Sequence, residues 1–382
     1  MKDQIVRLTR LVADGKLSPE DAADLIEALY GDQPTEASGD KSDFKGFAAI
    51  FSSFDKAFKS GESLDWQAAV RQAQENAKRG VDFVRQTIDE VSRGKVNVGW
   101  LTTSESTSVE LPLTVPEGKT LRIENVAGSI KITGGRPLGT VKCAAQVRGA
   151  SLDDAKDKIA RYQLVVEESD HYVLIKQPEM TGLTADLQIE LNSATPIEIK
   201  SEASEIEIIG TGSGVRIHSR SGDIHLEGLN GVIEIHADSG DISVVNAETP
   251  SLSIENKSGD VSVSAVRGNV NARTASGDVS AEDVRAKVIS LETVAGDIRL
   301  QLRGDANGTY NVRTVSGDAN VELPLSADLR VGLSTVRGDV VCDIELGDAN
   351  RTGHRHTGKL GNGMGSLDVS AMTGDIRVLR GN

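Results

Sequence analysis

The sequence predicts a mainly β protein: a parallel β-solenoid of about 18–19 residues per coil, with an α-helical module at its N-terminus. Three observations carry this. A Ser-Gly-Asp tripeptide recurs at near-constant spacing through the second half of the chain. Apolar residues keep fixed, alternating offsets from its glycine. Residues 1–93 instead place their apolar residues three and four apart, the spacing of helix faces.

The tripeptide or a close variant stands at Ser221-Gly222-Asp223, Ser239-Gly240-Asp241, Ser258-Gly259-Asp260, Ser276-Gly277-Asp278, Ala295-Gly296-Asp297, Ser316-Gly317-Asp318, Arg337-Gly338-Asp339 and Thr373-Gly374-Asp375. A degenerate copy, Ala203-Ser204-Glu205, precedes them. Successive glycines lie 18, 19, 18, 19, 21, 21 and 36 residues apart, and the last interval reads as two coils, one of which has lost the motif. Seven residues before the glycine stand Val215, Ile233, Leu252, Val270, Ile289 and Tyr310; five before it, Ile217, Ile235, Ile254, Ala272, Leu291 and Val312. Two after it stand Ile224, Ile242, Val261, Val279 and Ile298; four after it, Leu226, Val244, Val263, Ala281 and Leu300. This is a strand pattern with one face inward. A single coil cannot bury that face, so stacked coils must share one aliphatic core. Glycine supplies a positive φ at the corner, and the following Asp is expected to bond the local backbone.

The outward columns agree with parallel stacking. Four before the glycine run Lys200, His218, His236, Glu255, Arg273, Glu292 and Arg313; one column away, Glu198, Arg216 and Glu234 alternate in sign. Stacked about 4.8 Å apart, such residues form charge ladders that set register, each exposed pair contributing at most about 1 kcal/mol.

Residues 94–200 read as a mixed β cap and the start of the solenoid, and 201–382 as the Ser-Gly-Asp solenoid itself. Ser151 to Ala160 reads as a short helix with Ser151 as N-cap and Asp153-Asp154 in its first turn. Residues 1–31 read as a helical hairpin, broken at Asp14-Gly15-Lys16-Leu17 and restarted by Ser18-Pro19-Glu20-Asp21. A polar linker follows over 32–43. Over 44–93 two amphipathic helices are expected. Phe44, Phe47, Phe51, Phe54 and Phe58 lie on one face of the first, a face for a neighbouring helix, a protein partner or a membrane surface. Leu64 to Val91 repeats apolar residues as a bundle seam would, which predicts a homo-oligomer through 64–91.

Composition narrows the function. A formal net charge of −15 argues against nucleic acid as a partner, since phosphate binding needs a basic surface. No signal peptide or membrane-spanning run is read, which places the chain in the cytoplasm or peripheral to a membrane, with export by an unrecognised route as the alternative. Cys143 and Cys342 are too few and too far apart for a disulfide framework and read as small buried residues.

The Ser-Gly-Asp-punctuated strands, the segment Asn125-Val126-Ala127-Gly128-Ser129-Ile130 and the closing Thr373-Gly374-Asp375-Ile376 resemble the bacterial β-strand-repeat family labelled "putative adhesin", over about residues 96–382. The N-terminal hairpin is similar to the short helical module found in front of such proteins, a layout shared with Lia-type envelope-stress proteins. The resemblance implies a β-solenoid, no catalytic residues and a place in the cell envelope or its stress signalling.

The candidate sites are few. Asp223, Asp241, Asp260, Asp278 and Asp297 would stack as like charges, relieved by turn hydrogen bonds or by bound cations. His218 and His236 stack, with His225 on another part of the coil, too few convergent ligands for zinc. His354-Arg355-His356 lies in a Gly-rich stretch, 347–365, that reads as a mobile loop, and Gly361 to Gly365 lacks the Lys-Ser/Thr of a phosphate loop. No cofactor motif is found. The function read from the sequence is a non-enzymatic interaction scaffold; a surface adhesin is one alternative and a carbohydrate-binding or carbohydrate-active β-helix protein the second.

Overall fold

The computed structural model describes residues 103–381. The expectations for 1–31, 32–43 and 44–93, including the five-phenylalanine face and the 64–91 seam, lie outside the described residues.

The described chain is mainly β, a long parallel sheet of repeated strands that makes a β-solenoid. From residue 215 onward most coils are two strands meeting at the Gly-Asp corner: β8 (Val215–Ser221) with β9 (Ile224–Glu227), β10 (Ile233–Ser239) with β11 (Ile242–Val245), β12 (Glu248–Ser258) with β13 (Val261–Ser264), β14 (Arg267–Ser276) with β15 (Val279–Val284), β16 (Val288–Ala295) with β17 (Ile298–Leu302), and β18 (Thr309–Ser316) with β19 (Ala319–Leu323). The strands pair in parallel in the register the alignment predicts, Ile233 opposite Val215 and Leu252, Ile242 opposite Ile224 and Val261. All four apolar columns named above are buried. A further inward column, Leu229, Ala247, Val266 and Val284, follows the second turn of the coil.

The ends of the stack depart from sequence order. At the C-terminal end the 36-residue interval holds no degenerate coil. The coil of β20 (Leu329–Arg337) and β21 (Val340–Cys342) is followed by an antiparallel hairpin, β22 (Gly347–Thr352) and β23 (Arg355–Leu360). The chain then returns as β24 (Gly365–Thr373) and β25 (Ile376–Arg380). Strand β24 is parallel to β18 on one edge and β20 on the other, and β25 likewise joins β19 to β21. The last coil in sequence is thus inserted before the one that precedes it. Strand β23 covers the outer edge of β20 in antiparallel register, so His354-Arg355-His356 forms the turn and start of a strand, where a loop was expected.

The N-terminal end repeats the device. β2 (Thr120–Thr133) pairs with β7 (Ile197–Ile209) on one edge; on the other it meets β5 (Tyr172–Lys176) and β6 (Leu183–Glu190). Antiparallel strands close this end too: β3 (Gly139–Gly149) on β6, β1 (Thr103–Leu113) on β3, and β4 (Val165–Glu168) on β5. Antiparallel strands thus cover β20 at one end and β5 and β6 at the other, which blunts the edges of the parallel stack against self-association. Helix α1 (Leu152–Ala160) starts as expected: Ser151 accepts from the Asp154 N–H at 3.1 Å. Tyr162, just past it, places its hydroxyl 2.9 Å from the Cys143 sulfur and 2.7 Å from Gln177 Oε1. Burial pushes both the Cys143 thiol and the Tyr162 phenol up, so both stay protonated as a polar plug.

Candidate functional site

The repeat corner is built by three side-by-side columns. In the glycine column φ runs from 115° at Gly222 to 159° at Gly296. A Cβ on Gly240, Gly259, Gly277, Gly296 or Gly317 would stand 2.0–2.3 Å from the carbonyl oxygen of the glycine before it in the stack. Each corner therefore needs glycine twice over, for its backbone angle and for the closeness of the next coil.

The Asp column binds coil to coil, where local turn bonds were expected. Oδ1 of Asp223 accepts from the Asp241 N–H at 2.9 Å, Asp241 from Asp260 at 2.8 Å, Asp260 from Asp278 at 2.9 Å, Asp278 from Asp297 at 2.9 Å and Asp297 from Asp318 at 2.8 Å. The ladder continues through the inserted coil: Asp318 accepts from Asp375 at 2.8 Å and Asp375 from Asp339 at 2.9 Å. Asp186 does the same for the Ser129 N–H at 2.7 Å at the far end. Each like charge thus faces a row of amide dipoles, which offsets its repulsion from its neighbours.

The third column lies three residues before the glycine, and the sequence reading passed over it. Asn256, Thr274, Thr293 and Thr314 point inward, nearly or fully buried, and donate to the carbonyls of Gly240, Gly259, Gly277 and Gly296 at 2.9–3.1 Å. Thr335 does this for Gly374. In the last coil of the stack, His354 Nδ1 donates to Gly338 O at 2.8 Å from the hairpin turn. A signal was present in the recurrence of Thr at that one offset, but an inward polar position in an apolar pattern reads as noise.

Two surfaces flank the corner. On one, Glu205, Glu207, Asp223, His225, Asp241 and Asp260 line a shallow concavity of about 420 Å³. Among the described residues no group of three or more His, Cys, Asp or Glu side chains is placed to hold a metal ion. On the other, the charge ladders are made as paired columns. Arg122 bonds Glu198 at 2.9 Å and lies 4.4 Å over the Tyr172 ring; Arg216 bonds Glu234 at 2.8 Å. His218 and His236 stack with ring centroids 5.1 Å apart and planes 6° apart. His236 also meets Glu255 through Nδ1 and Glu234 through Nε2, both at 3.0 Å. The hydrogen bond to Glu255 holds the His236 imidazole above its usual range, while burial and then the His236 charge push His218 below it. One rung differs from the exposed ladder expected: Glu292, 3.1 Å from Arg273, is buried to 5% exposure.

Among the described residues no helix is long and apolar enough to cross a membrane. No curated protein matches the chain significantly. Among solved structures, the chain is similar to a "putative adhesin" from Bacteroides fragilis (10% identity, 72% of this chain and 97% of that one, TM-score 0.36). It is also similar to one from Parabacteroides merdae (8%, 73% and 97%, 0.37). A "putative cell adhesion protein" from Clostridium sporogenes matches at 14% identity over 72% of this chain and 100% of that one, with a TM-score of 0.23. The family profile described as Toastrack DUF4097 matches residues 66–283, 197–318 and 232–379, which together cover most of the sequence, and the chain belongs to that family.

Proposed function

We propose that the protein is a non-enzymatic interaction scaffold of the bacterial envelope, in which the solenoid is a stiff body and the segment bearing Phe44, Phe47, Phe51, Phe54 and Phe58 meets a membrane or protein surface. The observation that carries the reading is how the corners are used. From Asp223 to Asp339 the corner carboxylate of each coil accepts from the corner amide of the next coil in the stack. The strands of successive coils are joined by segments as brief as 246–247 and 265–266, too short to rise as the walls of a substrate cleft. Such a stack transmits position and load and presents repeated polar columns to a partner.

The test is co-sedimentation of the full-length chain with phosphatidylglycerol–phosphatidylcholine vesicles, alongside the pair Phe51→Glu and Phe54→Glu. The reading expects pelleting that falls only mildly with salt and is lost in the double variant. No pelleting by the unaltered chain removes the membrane from the reading. Release of reducing ends from a polysaccharide panel by the same preparation overturns the non-enzymatic reading in favour of a carbohydrate-active solenoid.

A further inference from the structure

The inserted C-terminal coil lies in a slot whose two walls both come earlier in the chain. Residues 365–380 are bonded on one edge to β18–β19 and on the other to β20–β21. The coils flanking the slot have their glycines, Gly317 and Gly338, 21 residues apart, the same interval as Gly296 to Gly317, whose coils stack directly. The intervening coil is therefore not demanded by the length of the connection. It follows β20 in the chain, yet lies between two coils that both come earlier in the sequence.

The slot's chemistry is specific. Asp318 accepts from the Asp375 N–H, Asp375 from Asp339, and Thr335 donates to Gly374 O. Leu367, Val369, Ala371, Ile376 and Val378 are buried in it. The segment that delivers this coil is the turn 361–364. Leu329 pairs with Leu360 on one edge of β20 and with Gly365 on the other, so four residues cross the width of β20, about two strand spacings of 4.8 Å. Gly361 and Gly363 take φ of 59° and 70°, and the turn is tied down by Asp328, whose Oδ1 accepts from the Met364 N–H at 3.0 Å. A short, bent hinge next to a complete, self-contained strand pair is the arrangement from which identical elements are exchanged between copies.

We propose that residues 365–380 form an exchangeable coil: the slot between β18–β19 and β20–β21 accepts the same coil from a second copy of this chain, giving a reciprocally exchanged dimer. The occupant is a second copy because its own residues 365–380 carry Gly374, Asp375 and the apolar positions in the register and with the hairpin and hinge before them that this slot holds.

The register supplies a direct test. Cys342 pairs with Val378 across the slot, so Val378→Cys in the full-length chain puts a thiol beside a native one. The protein is refolded over a range of concentrations, oxidised, and examined on denaturing gels with peptide mapping. The proposal expects a disulfide between Cys342 of one chain and position 378 of another, with a dimer fraction that rises with refolding concentration. A cross-link confined to single chains at every concentration overturns it. No cross-link of either kind, in protein with an unchanged circular dichroism spectrum, overturns the slot itself. As a second arm, deleting Gly361, Asn362 and Gly363 leaves two residue steps, about 7 Å when extended, too short for the crossing of about two strand spacings and so for self-insertion. Sedimentation should then show the population moved to the exchanged form, and an unchanged mass contradicts the proposal.

Discussion

The backbone N–H of Asp260 donates to Oδ1 of Asp241 in the coil before it, 2.8 Å away, and the same bond recurs from Asp223 to Asp339. The residue after each corner glycine is thus an intercoil fastener. Asp241→Ala removes the acceptor for Asp260 and should cost about 1 kcal/mol, while Asp241→Asn, which keeps an acceptor oxygen, should cost less. Urea unfolding measures both; equal losses would show that the hydrogen bond is not what matters.

Glycine is required at the corner for two reasons at once, and at some other turns for the backbone angle alone. Gly277→Ala drives a Cβ to 2.2 Å from Gly259 O at a φ of 138° and should cost about 3 kcal/mol or more. Gly353→Ala, at φ 54° with nothing within 4 Å of the new atom, should cost about 1 kcal/mol. Thermal unfolding of the two variants should separate widely.

The second turn of the coil holds removable strain. Ala265 sits at φ 53°, where the adjacent coils place Asn246 and Asp283, while Gly228 takes the same position earlier in the stack. Ala265→Gly should stabilise the protein by up to about 1 kcal/mol, visible as a raised urea midpoint. A lowered midpoint would show that the methyl group's packing outweighs its backbone cost.

The charge ladders separate by burial. Arg273→Ala leaves the buried Glu292 carboxylate without the cation 3.1 Å away and should cost about 3 kcal/mol. Arg216→Ala breaks an exposed pair with Glu234 and should cost less than about 1 kcal/mol. Similar losses would place the two rungs in the same environment.

The stacked histidines make opposite contributions with pH. His236, raised in the fold, adds stability that is fully present below the unfolded histidine pKa of about 6.5 and is lost as pH rises through its folded value. His218, lowered, leaves stability intact above about 6.5 and removes it as pH falls toward its folded value. The groups facing them are Lys200, Arg216, Glu234 and Glu255. Ring-proton titration by NMR should find His236 titrating above His218; the reverse order contradicts the pairing of His236 with Glu255.

Much of this stack is legible in the sequence because its two periods are strict. A glycine every 18–21 residues and alternation around it place Ile235 beside Ile217 and Ile254 without any structure. What escapes is whatever does not change the count. The interval from Gly338 to Gly374 equals two coils in length, so a hairpin and a returning coil look the same as a coil that lost its motif. At the other end, Gly128 stands in the corner column, yet Thr120–Thr133 pairs with strands that come much later in the chain. The Thr274, Thr293 and Thr314 column is equally hidden, because an inward hydroxyl is legible only once the carbonyl it serves is located.

The order of the coils at the C-terminal end decides which strands share edges there. Methyl NOEs among Val312, Val369 and Leu333 test it directly, since Val369 is paired with Val312 on one side and Leu333 on the other. The stack predicts Val312–Val369 and Val369–Leu333 cross-peaks, with Val312 and Leu333 separated by about two strand spacings of 4.8 Å. A strong Val312–Leu333 cross-peak, with Val369 reaching only one of them, would show coils stacked in sequence order and contradict the inserted coil.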